Sequence, residues 1–370
     1  MGFRIAHRRD RRYFARYGHL VDGHWSWLTD PQRISSAESA SIVFYRVARI
    51  PRRMAKRDVL RRKVEDIEVA RSVEVARLVE SMGRGGGFTA KKIAVGVDIL
   101  RTIFRRRSCT TFLSFPAALM ATGVRGVLRT LVERKLVDVL LTTCVTADHD
   151  LARVWRPYYQ GEFEMDDVKL HRAGINRLGN VLVPNDSYGI ILEQKIRPML
   201  RNLWTSGRRN LSTKELLWEF GRRSGSRQSL LWWSWRNRIP VYVPAIFDGA
   251  VGYQLWSFWQ DHKAFTIDQF RDEAELADLA LTAKETGALM IGGGVSKHHT
   301  IWWNQFRGGL DYAVYITTAP EWDGSLSGAR TREGISWGKV KETAKHVTIE
   351  SDATAILPMM IAAALDRPRR

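Results

Sequence analysis

The sequence predicts an α/β protein built on a mostly parallel β-sheet with helices on both faces. Three observations lead there. Short, apolar, β-branched runs alternate with helical stretches along most of the chain, as expected of strands covered on both sides. Small, acidic and imidazole residues collect directly after four of those runs, where open α/β sheets bind ligands. The 370 residues, 45% hydrophobic and 26% charged, suffice for one large core or two modest ones.

Residues 1–53 stand apart. They hold eleven Arg, no Lys and four acidic residues, and show no sustained periodicity. They read as a basic N-terminal extension, disordered or lying before a true start at Met54, with residues 54–370 forming the folded domain. An Arg-rich, acid-poor opening also imitates a transit peptide, but "VDGHWSWLTDPQ" follows without a cleavage pattern.

Regular patterning begins near Val64. "SVEVARLVESMG" puts Val75, Leu78, Val79 and Met82 on one helical face, with Gly83 placed to end it. "GRGGGFTAKKIAVGVDILRTIF" reads as a loop, then a helix with Thr89 as N-cap candidate. The expected strands are "LVDVLLTT", "IPVYVPAI", "GALMIGGG", "DYAVYITT" and "HVTIESDA", with "DQFRDEAELADLALTAKETG" a helix among them. "TAILPMMIAAAL" is too short to span a membrane and contains Pro358, so it reads as a core helix.

Composition removes several function classes. The two cysteines, Cys109 and Cys144, form neither a disulfide framework nor a zinc-ligand spacing, which points to a reducing, cytoplasmic setting. The formal charge of +19 invites a nucleic-acid or acidic partner. No zinc finger, RNA-binding signature or helix-turn-helix accompanies it, which argues against sequence-specific nucleic-acid binding. An acidic protein partner fits better.

Several groups carry chemistry, each with a plainer alternative. Gly292, Gly293 and Gly294 would let backbone approach a phosphate or nicotinamide, or simply form a turn. His298 and His299 follow, and successive residues point apart. Asp148, His149 and Asp150 offer an oxygen and nitrogen set for a metal or a polyamine cation, but match no defined zinc spacing. Glu321, Asp323, Ser325 and Ser327 suit ribose hydroxyls or amines, or a polar turn. Lys339 lies two residues after Trp337; a lysine nucleophile needs a wall that excludes water, and an indole is a large one.

The strings "INRLGNVLVPNDSYG", "IPVYVPAIFDGAVG", "GGGVSKHH", "DYAVYITTAPEWDGSLSGAR" and "ISWGK", in this order, resemble deoxyhypusine synthases from about Val64 to Leu365. The "ADHD" and "DGSLSG" forms are similar to the archaeal and bacterial branch. The resemblance implies a Rossmann-like, doubly wound subunit in a homotetramer, with NAD as cofactor and no metal. It implies NAD-dependent transfer of the 4-aminobutyl group of spermidine, through a lysine Schiff base, to a lysine of translation initiation factor 5A. Homospermidine synthase, which serves a small amine acceptor, is a close relative and the alternative; a basic binding protein without turnover is a third reading, disfavoured by the joint presence of Lys339, His298 and Glu333.

Carried over position by position, the resemblance makes Lys339 the nucleophile and His298 a proton acceptor. Glu333 and Trp337 would contact the amine. Thr143, Asp248, Thr318, Ala319, Asp323, Asp352 and Ala353 would contact NAD. The chain also departs from the pattern. Tyr253 and Leu326 stand where amine-binding aspartates are usual, His149 replaces a glutamate, Ala117 and Ala121 replace serines, and Val145 replaces a glycine. With two carboxylates gone, Asp148 is the expected acid for the distal ammonium of the amine.

Overall fold

The computed structural model of the protein describes residues 62–366 and, in a separate unit covering residues 1–63, the backbone of an antiparallel hairpin, Gly18–Val21 with His24–Trp27. The expectations for residues 1–53 and Met54 otherwise lie outside the described residues.

The second unit is organised by six parallel strands: β1 (Cys109–Ser114), β2 (Val139–Leu141), β3 (Val241–Tyr242), β4 (Glu285–Ile291), β5 (Leu310–Thr317) and β6 (Val340–Glu350). Their spatial order is β3-β2-β1-β4-β5-β6. The order reverses between β1 and β4, which gives a doubly wound sheet with a crevice at its carboxyl edge. Five of the six strands are those expected from their apolar runs. The sixth, central β1, escapes the pattern because "CTTFLS" interleaves Thr110, Thr111 and Ser114 with its apolar residues.

Period-two alternation sends the strands' side chains into two cores. Leu113, Leu140, Leu289, Val314 and Ile349 join the larger one, which includes Ile93, Val97 and Leu100 of helix Phe88–Arg105 and Ile356 and Leu357 of helix Ala353–Leu365. Phe112, Leu141, Met290, Ala313 and Tyr315 face the smaller one, with Leu276 and Ala280 of helix Gln269–Thr282 and Ile301 of helix Gly294–Gln305. "TAILPMMIAAAL" is thus a core helix, with Pro358 on its exposed side.

Two helix boundaries differ from expectation. The helix Val75–Gly85 runs past Gly83 and stops at Gly86, whose φ of 71° is the left-handed cap that glycine adopts without strain. The next helix starts at Phe88 behind Gly87, so Thr89 lies within its first turn and is not the cap. Beyond the main sheet, helix Gly189–Thr205, the capped helices Thr213–Ser224 and Leu230–Asn237 and helix Ala250–Asp261 extend the larger core, and residues 159–184 carry a small antiparallel sheet.

Candidate active site

The segment connecting β5 to β6, residues 318–339, carries most of the candidate residues. It leaves β5 at the carboxyl edge and returns to the amino edge, where Lys339 immediately precedes β6 and its carbonyl accepts from Leu310 N–H at 3.1 Å. Thr318, Ala319 and Asp323 lie at the carboxyl end of this path, and Asp352 and Ala353 follow β6 there. Lys339 therefore does not belong to the strand-end residues. Eight-residue β5 separates the two levels by about 23 Å at 3.3 Å per step.

Around Lys339 the structure gathers two indole rings. Its Nζ lies 5.1 Å from the ring centre of Trp337 and 6.0 Å from that of Trp302. Trp302 stacks on His298, with centroids 5.7 Å apart and planes at 23°. Burial, then neighbouring Lys339 and His299, lower the pKa of His298, which favours the neutral imidazole, able to accept a proton. Glu333 and Trp337 are exposed beside a half-buried Lys339, which leaves the site open on one side. Trp302 carried no sequence signal beyond its position four residues after His298, on the same helical face. His299 points away, pairing with Glu273 at 3.0 Å and touching Trp303.

Lys297 is a second residue that the sequence did not single out. It is buried, and its Nζ donates to the carbonyls of Leu326 and Ala329 at 2.7 and 2.6 Å while lying 3.7 Å over Tyr315. Burial lowers its pKa to about 7, against the raising influence of Glu333. Lys297 thus clamps the loop that follows Asp323. Gly293 brings the same loop closer, since a Cβ there would come 2.0 Å from Ser327 Oγ. The Ser327 carbonyl in turn accepts from Tyr315 and Thr317. The glycine turn is needed here for packing as well as for any ligand.

The carboxyl edge has the donors and acceptors a dinucleotide requires. Asp248, Asp323 and Asp352 are exposed carboxylates after β3, β5 and β6, as ribose hydroxyls need. Gly292 and Gly294 have φ of 64° and 72° and open helix Gly294–Gln305, leaving its first N–H groups free of side chain. At the end of β1, where the strand order reverses, Ser114 Oγ is buried without a protein partner. Thr143 sits at the start of helix Cys144–Trp155 with no capping bond from its side chain. Asp352 caps helix Ala353–Leu365 through Thr354, and Ala353 is buried. These residues fit a dinucleotide.

Asp148 is placed otherwise than expected. It is fully buried, and its carboxylate accepts from Tyr188 Oη at 2.7 Å, Ala250 N at 2.7 Å and Val251 N at 2.9 Å. It caps helix Ala250–Asp261, the helix that follows Asp248, and is no longer an accessible acid for an ammonium. Asp150 does the same for helix Leu230–Asn237, accepting from Leu230 N, Leu231 N and Ser229 Oγ while Arg125 Nε donates at 2.9 Å. His149 meets Tyr158 Oη at 2.9 Å, and burial, reinforced by Arg153, lowers its pKa to about 4. "ADHD" is a helix-anchoring device. Among the described residues no group of three His, Cys, Asp or Glu is arranged to hold a metal.

The parallel sheet with its reversed strand order and the glycine turn at its carboxyl edge define a doubly wound α/β protein of the Rossmann architecture. The family model for deoxyhypusine synthase matches residues 77–364, and the chain belongs to that family. A relative from Picrophilus torridus named "Probable deoxyhypusine synthase" is 51% identical over 309 residues, covering 84% of this chain and 99% of its own length. One of the same name from Thermoplasma acidophilum is 48% identical over 309 residues, covering 84% of this chain and 99% of its own length. In fold, the chain is similar to the crystal structure of a "putative deoxyhypusine synthase" from Entamoeba histolytica, with a TM-score of 0.56 at 19% identity, covering 81% of this chain and 95% of that one. Among the described residues no helix is long and apolar enough to cross a membrane.

Proposed function

We propose that this aminobutyltransferase takes the 4-aminobutyl group of spermidine onto Lys339 as a Schiff base and passes it to a lysine of translation initiation factor 5A. The observation that carries the reading is the setting of Lys339: a half-buried amine beside Trp337 and Trp302, with His298 stacked on Trp302. Thr143, Asp248, Thr318, Ala319, Asp323, Asp352 and Ala353 would hold NAD. Bound there, NAD supplies the oxidation that makes the amine carbon electrophilic and the later reduction that makes the product permanent.

The chain's own residues do the rest. His298 accepts a proton from the substrate amine, and its depressed pKa keeps it free to do so at neutral pH. Lys339 Nζ bonds to the electrophilic carbon while that carbon's bond to nitrogen breaks and 1,3-diaminopropane leaves. The acceptor lysine then attacks the same carbon and Lys339 departs. Glu333, exposed near Lys297 and Lys339, supplies a negative charge for the ammonium at the other end of the chain. The separation of Lys339 from the carboxyl edge and its open surroundings support a site completed by a second copy, as in a homotetramer.

Borohydride trapping with NAD and spermidine, followed by peptide mapping, tests the reading. The adduct is expected on Lys339 and absent from Lys339→Arg, whose guanidinium stays protonated. An adduct elsewhere, or full activity in that variant, refutes it. With the cognate factor present, a mass shift on its lysine supports the protein acceptor; free homospermidine instead supports transfer to a small amine.

A further inference from the structure

Trp302 is a large aromatic side chain left 40% exposed on helix Gly294–Gln305. Its neighbour Trp303 packs against the smaller core and bonds to Glu273 at 2.8 Å, whereas Trp302 belongs to neither core cluster. Its contacts run the other way. One is with the His298 ring, another with the edge or face of Phe306 at 5.4 Å and 90°, and a third with the Lys339 ammonium at 6.0 Å. Positions 298, 302 and 306 follow the four-residue spacing that lines side chains along one helical face. The result is an aromatic ladder, backed by Phe306, that ends on the imidazole.

We propose that Trp302 is the positioning and specificity residue of the amine site: its indole fixes the plane of His298 and, together with Trp337, offers ring faces that hold a primary ammonium beside Lys339. This rests on the reading of Lys339 as the amine-binding centre. The physics favours it on two counts. An indole is the strongest aromatic partner for a cation, and Lys339 Nζ, the atom that the substrate amine must approach, lies 5.1 Å from the Trp337 ring and 6.0 Å from the Trp302 ring, at or within the range over which that attraction acts. A ring stacked on His298 also restricts the imidazole's rotation, so that its basic nitrogen is presented in one direction without a hydrogen-bonding partner having to hold it. The site thereby favours a cationic alkylamine chain with few carboxylates over an uncharged isostere of the same length.

Trp302→Leu and Trp302→Phe in the full-length protein test this, each measured for spermidine turnover, spermidine and NAD binding by calorimetry, thermal midpoint, and the His298 imidazole proton signals by NMR. The Leu variant is expected to lose about 3- to 30-fold in spermidine affinity, with NAD binding unchanged, and its His298 ring-proton signal is expected to move downfield as the indole ring current disappears. The Phe variant should recover most of both effects. Unchanged spermidine affinity together with an unmoved His298 signal in the Leu variant overturns the proposal. So does a loss in both variants that tracks only a fallen thermal midpoint, which would make Trp302 a purely structural residue. If the wild-type protein neither binds nor turns over spermidine, the functional reading fails by itself, and the His298 signals still decide whether Trp302 positions the imidazole.

Discussion

Replacing Asp148 by Asn separates two accounts of the "ADHD" segment, because the side chain keeps its size and loses only its charge and one acceptor. Three donors converge on the carboxylate at 2.7 to 2.9 Å, namely Tyr188 Oη, Ala250 N and Val251 N. An Asn oxygen retains the helix cap, but its NH2 group then faces a donor, so at least one charge-assisted bond is lost. Such bonds contribute about 1.5–3 kcal/mol each. Burial raises the pKa of Asp148, and relief of that desolvation offsets part of the loss. The net expectation is a destabilisation of about 1–3 kcal/mol, or roughly a 2–6 °C fall in thermal midpoint. Spermidine KM should move little, because Asp148 is inaccessible. Differential scanning calorimetry and initial-rate kinetics on the same preparation measure both quantities. A tenfold rise in spermidine KM at an unchanged midpoint would refute the capping account and return Asp148 to the amine site.

Two further outcomes follow from the same geometry. Arg125→Leu strips the buried Asp150 of its ion-pair partner, which stands 2.9 Å away; urea unfolding should show a loss of about 3–5 kcal/mol, and a change below about 1 kcal/mol would mean that the three remaining donors suffice. Lys297→Met frees the loop at Leu326 and Ala329 and removes a pH dependence. Between about pH 7, where the folded-state lysine titrates, and its ordinary value of 10.5, the unfolded chain holds more protons, so wild-type stability rises with pH in that window. Unfolding at pH 7 and pH 9 should show a shallower rise in the Met variant, and an equal slope in both proteins would remove Lys297 as the titrating group.

The sequence by itself determined the layered α/β class and five of the six sheet strands, because an apolar run bounded by small residues has few other ways to be buried on both faces. The strings around Lys339 and His298 were legible for a related reason: tight turns and an aromatic neighbour leave a local mark. Central strand β1 left none, since Thr110, Thr111 and Ser114 interrupt its apolar run, and only the strands that pair with its backbone on both sides make it a strand. The carboxylates of Asp148 and Asp150 could equally have met a ligand or a helix end, and only long-range packing delivered residues 229–231 and 250–251 to them. The fold likewise brought Trp302 beside Lys339, and Lys297 to the carbonyls of Leu326 and Ala329. Residue type states what a side chain is able to bind, whereas the partner that reaches it across 30 or 100 residues is chosen by the fold, which alone brings distant backbone donors and charges within hydrogen-bonding range.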